Sequence, residues 1–113
     1  MKALLVNGSP FKEGNTYLAL NEVARTLQSE GIETEILQLG NKPVRGCIAC
    51  GGCRKAGNGC CVFDDDFCNQ LCRAAREADA FVFGSPVYYG QPHGALLAVL
   101  QRALYAAGTY FDF

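Results

Sequence analysis

The chain has 113 residues, 50% of them hydrophobic, with 10 Lys and Arg against 11 Asp and Glu for a net charge of -1. This length supports one globular core, small for an α/β sheet covered on both faces. The scattered basic residues offer no nucleic-acid face, and no apolar run reaches the length of a membrane span. Met1 opens directly into a strand-like run without the segments of an export signal, so a cytoplasmic location is expected. In that setting the 7 cysteines are expected as reduced thiols or metal ligands, not disulfides.

The first element is the apolar run Ala3 to Val6, a strand, followed by Asn7-Gly8-Ser9-Pro10-Phe11-Lys12-Glu13-Gly14-Asn15-Thr16 and then an amphipathic helix. A loop of this kind aims the free first N–H groups of the helix, the positive end of its dipole and the hydroxyls of Ser9 and Thr16 at one point, which suits an anion. Asn15-Thr16 stands where a nucleoside-triphosphate loop carries Gly-Lys-Ser/Thr, so a single terminal phosphate held by neutral donors fits best. The plainer alternative is a strand-to-helix turn with Asn15 or Thr16 as N-cap. Leu20, Val23, Ala24 and Leu27 recur at helical spacing over about 16–30, and Gly31 is the stop signal.

Residues 33–39 read as an edge strand, and the cysteine-rich loop follows. Asp64, Asp65 and Asp66 then offer N-caps for a helix whose apolar face is Phe67, Leu71, Ala74, Ala75 and Ala78. Cys68 and Cys72, one turn apart on that helix, are expected to be buried. Ala80-Phe81-Val82-Phe83 has the continuous apolarity of a strand buried on both faces. Pro92 is placed at the first turn of a last helix with Leu96, Val99, Leu100, Ala103 and Leu104 inward. His93, the sole histidine, is expected to be a solvent-exposed residue at that helix start.

The order βαβαβα gives a parallel sheet with strand order 2-1-3, whose switch point lies between the first and third strands. The phosphate loop and the loop Gly84-Ser85-Pro86-Val87-Tyr88-Tyr89-Gly90 both open there. Pro86 and Gly90 bracket a stiff turn, and Val87, Tyr88 and Tyr89 offer flat apolar surface to the edge of a planar heterocycle.

These motifs resemble the flavodoxin-like superfamily, specifically its NADPH-dependent FMN reductase and iron-sulfur flavoprotein branch. The resemblance covers nearly the whole chain through Asn-Gly-Ser-Pro-x4-Asn-Thr, the cysteine loop at 47–61 and Gly-Ser-Pro-Val-Tyr-Tyr-Gly. It implies a doubly wound flavodoxin-like sheet and an FMN cofactor. Ser9, Phe11, Asn15 and Thr16 would hold the phosphate and ribityl chain, and Pro86, Val87, Tyr88, Tyr89 and Gly90 would line the flavin ring. It also implies a homo-oligomer with flavin near a subunit boundary. Family members continue through two further strands, so residues 1–113 correspond to the N-terminal portion of the family's domain, truncated before them.

Cys47-x2-Cys50-x2-Cys53-x6-Cys60, with Cys61 adjoining, lies on the same rim, and its glycines let backbone wrap closely around an inorganic core. The thiolates of Cys47, Cys50, Cys53 and Cys60 could ligate a [4Fe-4S] cluster; free thiols and a zinc site are the alternatives. The pattern resembles the compact motif of iron-sulfur flavoproteins. The expected activity is an FMN-dependent oxidoreductase, passing electrons from NAD(P)H or an electron-transfer protein to a quinone, a nitro or azo compound, or an iron-sulfur partner. No side chain is required as acid or base. The rival is a non-enzymatic electron carrier or a metal-binding redox sensor.

Overall fold

The computed structural model describes residues 1–108. Its elements are β1 (Lys2–Asn7), α1 (Asn15–Ser29), β2 (Glu33–Gln38), α2 (Gly52–Ala56), α3 (Cys68–Arg76), β3 (Ala80–Gly84), β4 (Val87–Tyr88), β5 (Gln91–Pro92) and α4 (Gly94–Gly108). β1, β2 and β3 form a parallel sheet in the order β2-β1-β3, as the sequence predicts. This is a flavodoxin-like arrangement with β1 in the centre.

The central strand is apolar on both faces because each face meets helices. Ala3 and Leu5 pack on Leu20 and Ala24 of α1, with Ile36 and Val82 from the flanking strands. Leu4 and Val6 face the other way, into a larger core with Leu71 and Cys72 of α3 and Leu96, Val99 and Ala103 of α4. The period of two along β1 thus divides one strand between two layers. Helix α1 ends at a Schellman motif: the N–H of Gly31 donates to Gln28 O and that of Ile32 to Leu27 O, both at 3.0 Å, with Gly31 at φ 79°. That turn feeds the chain into β2 beside β1.

Several elements differ from the sequence reading. Pro92 lies in β5 and not in the last helix; β4 and β5 form a small antiparallel hairpin across Tyr89 and Gly90. Both turn residues have positive φ, 51° and 72°, as in the type I′ turns that match strand twist. The cysteine loop contains a short helix, α2, between Gly51 and Gly57, each in the left-handed region. β3 is not buried on both faces: Val82 packs on the α1 layer, while Phe81 and Phe83 are 47% and 42% exposed. Val23 of α1 and Leu104 of α4 are also exposed, and the inward face of α4 instead carries Arg102 and Ala106. Burial of Cys68 and Cys72 is as expected.

Leu5→Ala should lower unfolding free energy by about 2–5 kcal/mol, since the Leu5 side chain is fully enclosed between β1 and α1. Leu104→Ala should cost no more than about 0.5 kcal/mol. Urea unfolding of the two variants checks the layer assignment, and equal losses would contradict it.

Candidate functional site

The parallel sheet brings the carboxyl ends of β1, β2 and β3 to one rim, and three loops leave from there. The loop after β1 is fixed by polar groups. Asn7, fully buried, accepts from the Ser9 N–H at 3.1 Å, and its Nδ2 donates to Gln38 Oε1 at 2.7 Å. Gln38 Nε2 in turn donates to Ser9 O at 2.9 Å, so the end of β2 holds the turn in place. Ser9 is buried, and its Oγ accepts from the Phe11 N–H at 3.1 Å. Phe11 itself is exposed.

Helix α1 starts at Gly14, which caps it without a side-chain hydrogen bond. Its first intrahelical bond runs from Leu18 N to Gly14 O, so the N–H groups of Asn15, Thr16 and Tyr17 have no helical acceptor. Neither Asn15 nor Thr16 is the N-cap. Both lie inside the first turn, Asn15 exposed and Thr16 half-buried.

The loop after β3 closes against this one. Gly8 N donates to Gly84 O at 2.7 Å. A Cβ on Gly84 would lie 2.9 Å from Thr16 Cγ2. His93 is a tie between the loops and not a bystander: its Nδ1 sits 2.8 Å from Gly8 O, its N–H donates to Ser85 Oγ at 2.8 Å, and its ring meets Tyr88 edge-on at 5.5 Å. The carbonyl of Gly8 can only accept, which places a proton on Nδ1. Pro86 is half-buried, while Val87, Tyr88, Tyr89 and Gly90 are exposed, with Tyr89 fully in solvent. The predicted residues therefore gather on two facing loops. The ties that hold them, Asn7, Gln38 and His93, were missed by the sequence reading.

The cysteine loop divides its thiols between two environments. Cys47, Cys50, Cys53 and Cys61 line one cavity together with Arg102 and Tyr105 of α4. Backbone N–H groups already face two of the sulfurs, Ala49 N to Cys47 Sγ at 3.4 Å and Gly52 N to Cys50 Sγ at 3.5 Å. Cys60 is not in that lining. Its Sγ lies 3.6 Å from Arg76 Nη2, and it packs, as Cys61 also does, on the core that contains Cys68 and Cys72. Within that core, hydrogen bonding between the two thiols pulls Cys72 down to about 7, against desolvation, with Cys60 and Arg76 adding to the effect. The same bond, with burial, pushes Cys68 up.

Arg102 is 3% exposed. Its Nη1 pairs with Asp66 Oδ2 and donates to Arg45 O, and its Nη2 donates to Phe63 O at 2.9 Å. Its Nε is buried with no partner, which for a hydrogen-bonding group costs about 1–3 kcal/mol. Burial would lower the guanidinium pKa, but Asp66 and the adjoining Cys61 raise it above its ordinary value. Burial would likewise raise Asp66, but the bonds from Arg102 and from the Cys68 N–H outweigh it and hold the carboxyl below its usual range. Of the three predicted capping aspartates, Asp66 is the one that accepts from the first turn of α3, while Phe67 occupies the N-cap position.

The family model described as NADPH-dependent FMN reductase matches residues 1–112. The chain belongs to the NADPH-dependent FMN reductase family. FMN is the cofactor of this family. The chain is 37% identical over 103 residues to an iron-sulfur flavoprotein of Methanocaldococcus jannaschii, covering 91% of this chain and 52% of that protein. It is 38% identical over 104 residues to one of Archaeoglobus fulgidus, covering 92% and 46%. A third, from Methanosarcina thermophila, is 32% identical over 104 residues, covering 92% and 53%. The chain thus spans about half the length of the curated relatives it matches. No solved structure matches it significantly. Among the described residues, no helix is long and apolar enough to cross a membrane.

The rim fits this family's cofactor in two respects, the uncapped start of α1 and the glycine approach between the loops. The cysteine cavity fits a sulfur-ligated group by its donors and by the orphaned Arg102 Nε. Among the described residues no three His, Cys, Asp or Glu side chains are grouped closely enough to hold a metal ion.

Asp66→Asn should destabilise the fold by about 3–5 kcal/mol near neutral pH, because it leaves Arg102 as an uncompensated buried charge. Asp66 has a depressed folded-state pKa, so its contribution is complete above the unfolded value of about 3.9 and is lost as pH falls through the folded value. Chemical denaturation from pH 7 to pH 3 should show the gap between wild type and variant narrowing only at the acid end.

Proposed function

We propose that this chain forms the phosphate and ring loops of an FMN-dependent oxidoreductase that takes electrons from NAD(P)H or an electron-transfer protein. Small oxidised molecules such as quinones, nitro or azo compounds, or an iron-sulfur partner, are the acceptors. The observation that carries this reading is the bare amino end of α1: Gly14 caps it without a side-chain hydrogen bond, and Thr16 lies in its first turn. A terminal phosphate would accept from the N–H groups of the first turn and from the Thr16 hydroxyl, with the helix dipole favouring its charge. Phe11 and Asn15 flank the ribityl chain in this reading.

FMN supplies the redox chemistry, accepting a hydride or an electron pair and returning electrons singly or in pairs. The chain's own task is placement. The 85–93 loop presents Pro86, Val87, Tyr88, Tyr89 and Gly90 to the ring. Its position relative to the phosphate is set by the His93 tie to Gly8 and by the Gly8–Gly84 bond. No titratable side chain is assigned a proton-transfer role. Cys47, Cys50 and Cys53 would hold an iron-sulfur cluster on the same rim, a reading supported by the names of the relatives and by the shared cavity of those thiols. In this reading the protein is a homo-oligomer with the flavin near a subunit boundary.

Thr16→Val preserves the methyl contact to Gly84 and removes the hydroxyl. FMN affinity should fall about 10- to 100-fold, the worth of one hydrogen bond to a charged group, while riboflavin binding stays nearly unchanged. Fluorescence titration of both ligands measures the difference, and equal losses would remove the phosphate assignment.

A further inference from the structure

The flavin reading makes no use of the buried guanidinium of Arg102, which lines the sulfur-lined cavity and whose Nε has no partner among the described residues. We propose that Cys61, and not Cys60, is the fourth thiolate of an iron-sulfur site formed with Cys47, Cys50 and Cys53, and that Arg102 is its positioning residue, donating from Nε to a sulfur of that site. This assignment rests on the cluster reading given above and deepens it.

Four observations support it independently. Cys61 shares the cavity with Cys47, Cys50 and Cys53, and Cys60 does not. Cys60 instead has its sulfur 3.6 Å from Arg76 Nη2. Cys61 is also the better anchored: its N–H donates to Asn69 Oδ1 at 2.8 Å, and its carbonyl accepts from Asn69 Nδ2 at 2.7 Å. Asn69 is itself 3% exposed, so this clamp is part of the core and not a surface accident.

The fourth observation is Arg102. Its Nη1 and Nη2 are used by Asp66, Arg45 O and Phe63 O, which fixes the plane of the guanidinium. Only the buried Nε–H is left without an acceptor, and Arg102 lines the cavity that the four thiols share. A set of thiolates on iron is an anionic acceptor, and N–H donation to sulfur is one of the means by which a protein stabilises such a set and raises its reduction potential. Asp66 alone gives Arg102 a partner for its charge. It gives no partner for Nε.

The test uses the whole chain, purified and reconstituted with iron and sulfide under anaerobic conditions, with FMN absorbance recorded in parallel. Cys61→Ser should lose its iron and acid-labile sulfide to background, while Cys60→Ser retains the wild-type content. Iron lost from Cys60→Ser, whether alone or along with Cys61→Ser, overturns the ligand assignment. Wild-type protein that binds FMN but no iron overturns the cluster reading and this assignment together, leaving the flavin reading intact. For Arg102, Arg102→Lys should release iron to a chelator about 10-fold faster than wild type, with a lowered midpoint potential. Asp66→Asn disturbs the same ion pair but leaves Nε in place, so matching changes in both variants would make Arg102 merely structural. Should Arg102→Lys not fold, pulsed electron paramagnetic resonance of reduced wild-type protein carrying 15N-arginine decides the point. A nitrogen coupling is expected there, and its absence overturns the positioning role.

Discussion

The close approach of β1 and β3 at Gly8 and Gly84 is the constraint on which the rim depends. Gly8 N–H reaches Gly84 O at 2.7 Å, one step past the end of the regular strand pairing. A Cβ on Gly8 would stand 2.7 Å from that carbonyl and 2.7 Å from a methyl of Leu96, and backbone on one side with a core leucine on the other leaves no way to yield. A Cβ on Gly84 would press on Thr16 and Leu20 of α1. Two missing side chains therefore bring together the loop after β1, the 85–93 loop, the start of α1 and the start of α4. The closeness of the two loops follows from this contact.

The second constraint is electrostatic. Arg102 is buried near the middle of α4, where an apolar residue would be expected, and its pairing with Asp66 draws residues 45, 63 and 66 of the cysteine segment onto the helix. A long glycine-rich loop has little apolar surface of its own to bury and a high entropic cost of ordering. It is held instead by directional bonds from two guanidiniums and one amide, Arg102, Arg76 and Asn69, with Arg45 stacked over Phe63 at 4.4 Å from the ring centre. Such bonds fix orientation more sharply than apolar contact does.

The sheet order, the two faces of β1 and the location of the rim were all legible in the sequence, because each follows from local periodicity and from the rules for parallel crossovers. The residues that fasten the rim were not. Asn7 and Gln38 look like polar ends of strands, and only the β1–β2 register places them side by side. His93 looked like a surface residue because its acceptor, Gly8 O, is 85 positions away. Arg102 is buried on the inward face of α4 while Leu104, expected inward from its apolar character, is exposed, because the partner that makes the burial of a guanidinium tolerable, Asp66, is 36 positions away. Cys60 and Cys61 could not be distinguished by spacing, since both fall at compatible distances from Cys53, and which one turns toward the cavity depends on Asn69 and Arg76. Sequence reveals what a segment can do; long-range polar partners decide which of its residues does it.

The exposed face of β3 follows from the same distribution of forces. Ala80-Phe81-Val82-Phe83 is apolar on both sides, yet among the described residues the strand pairs only with β1, and only Val82 reaches a core cluster. Phe81 and Phe83 stack on each other with ring centres 6.3 Å apart, which hides part of each ring but leaves the outer surface in water. An unpaired apolar edge of this kind favours pairing with another strand. β3 leads directly into the 85–93 loop, so the exposed apolar face of Phe81 and Phe83 lies at the base of that loop.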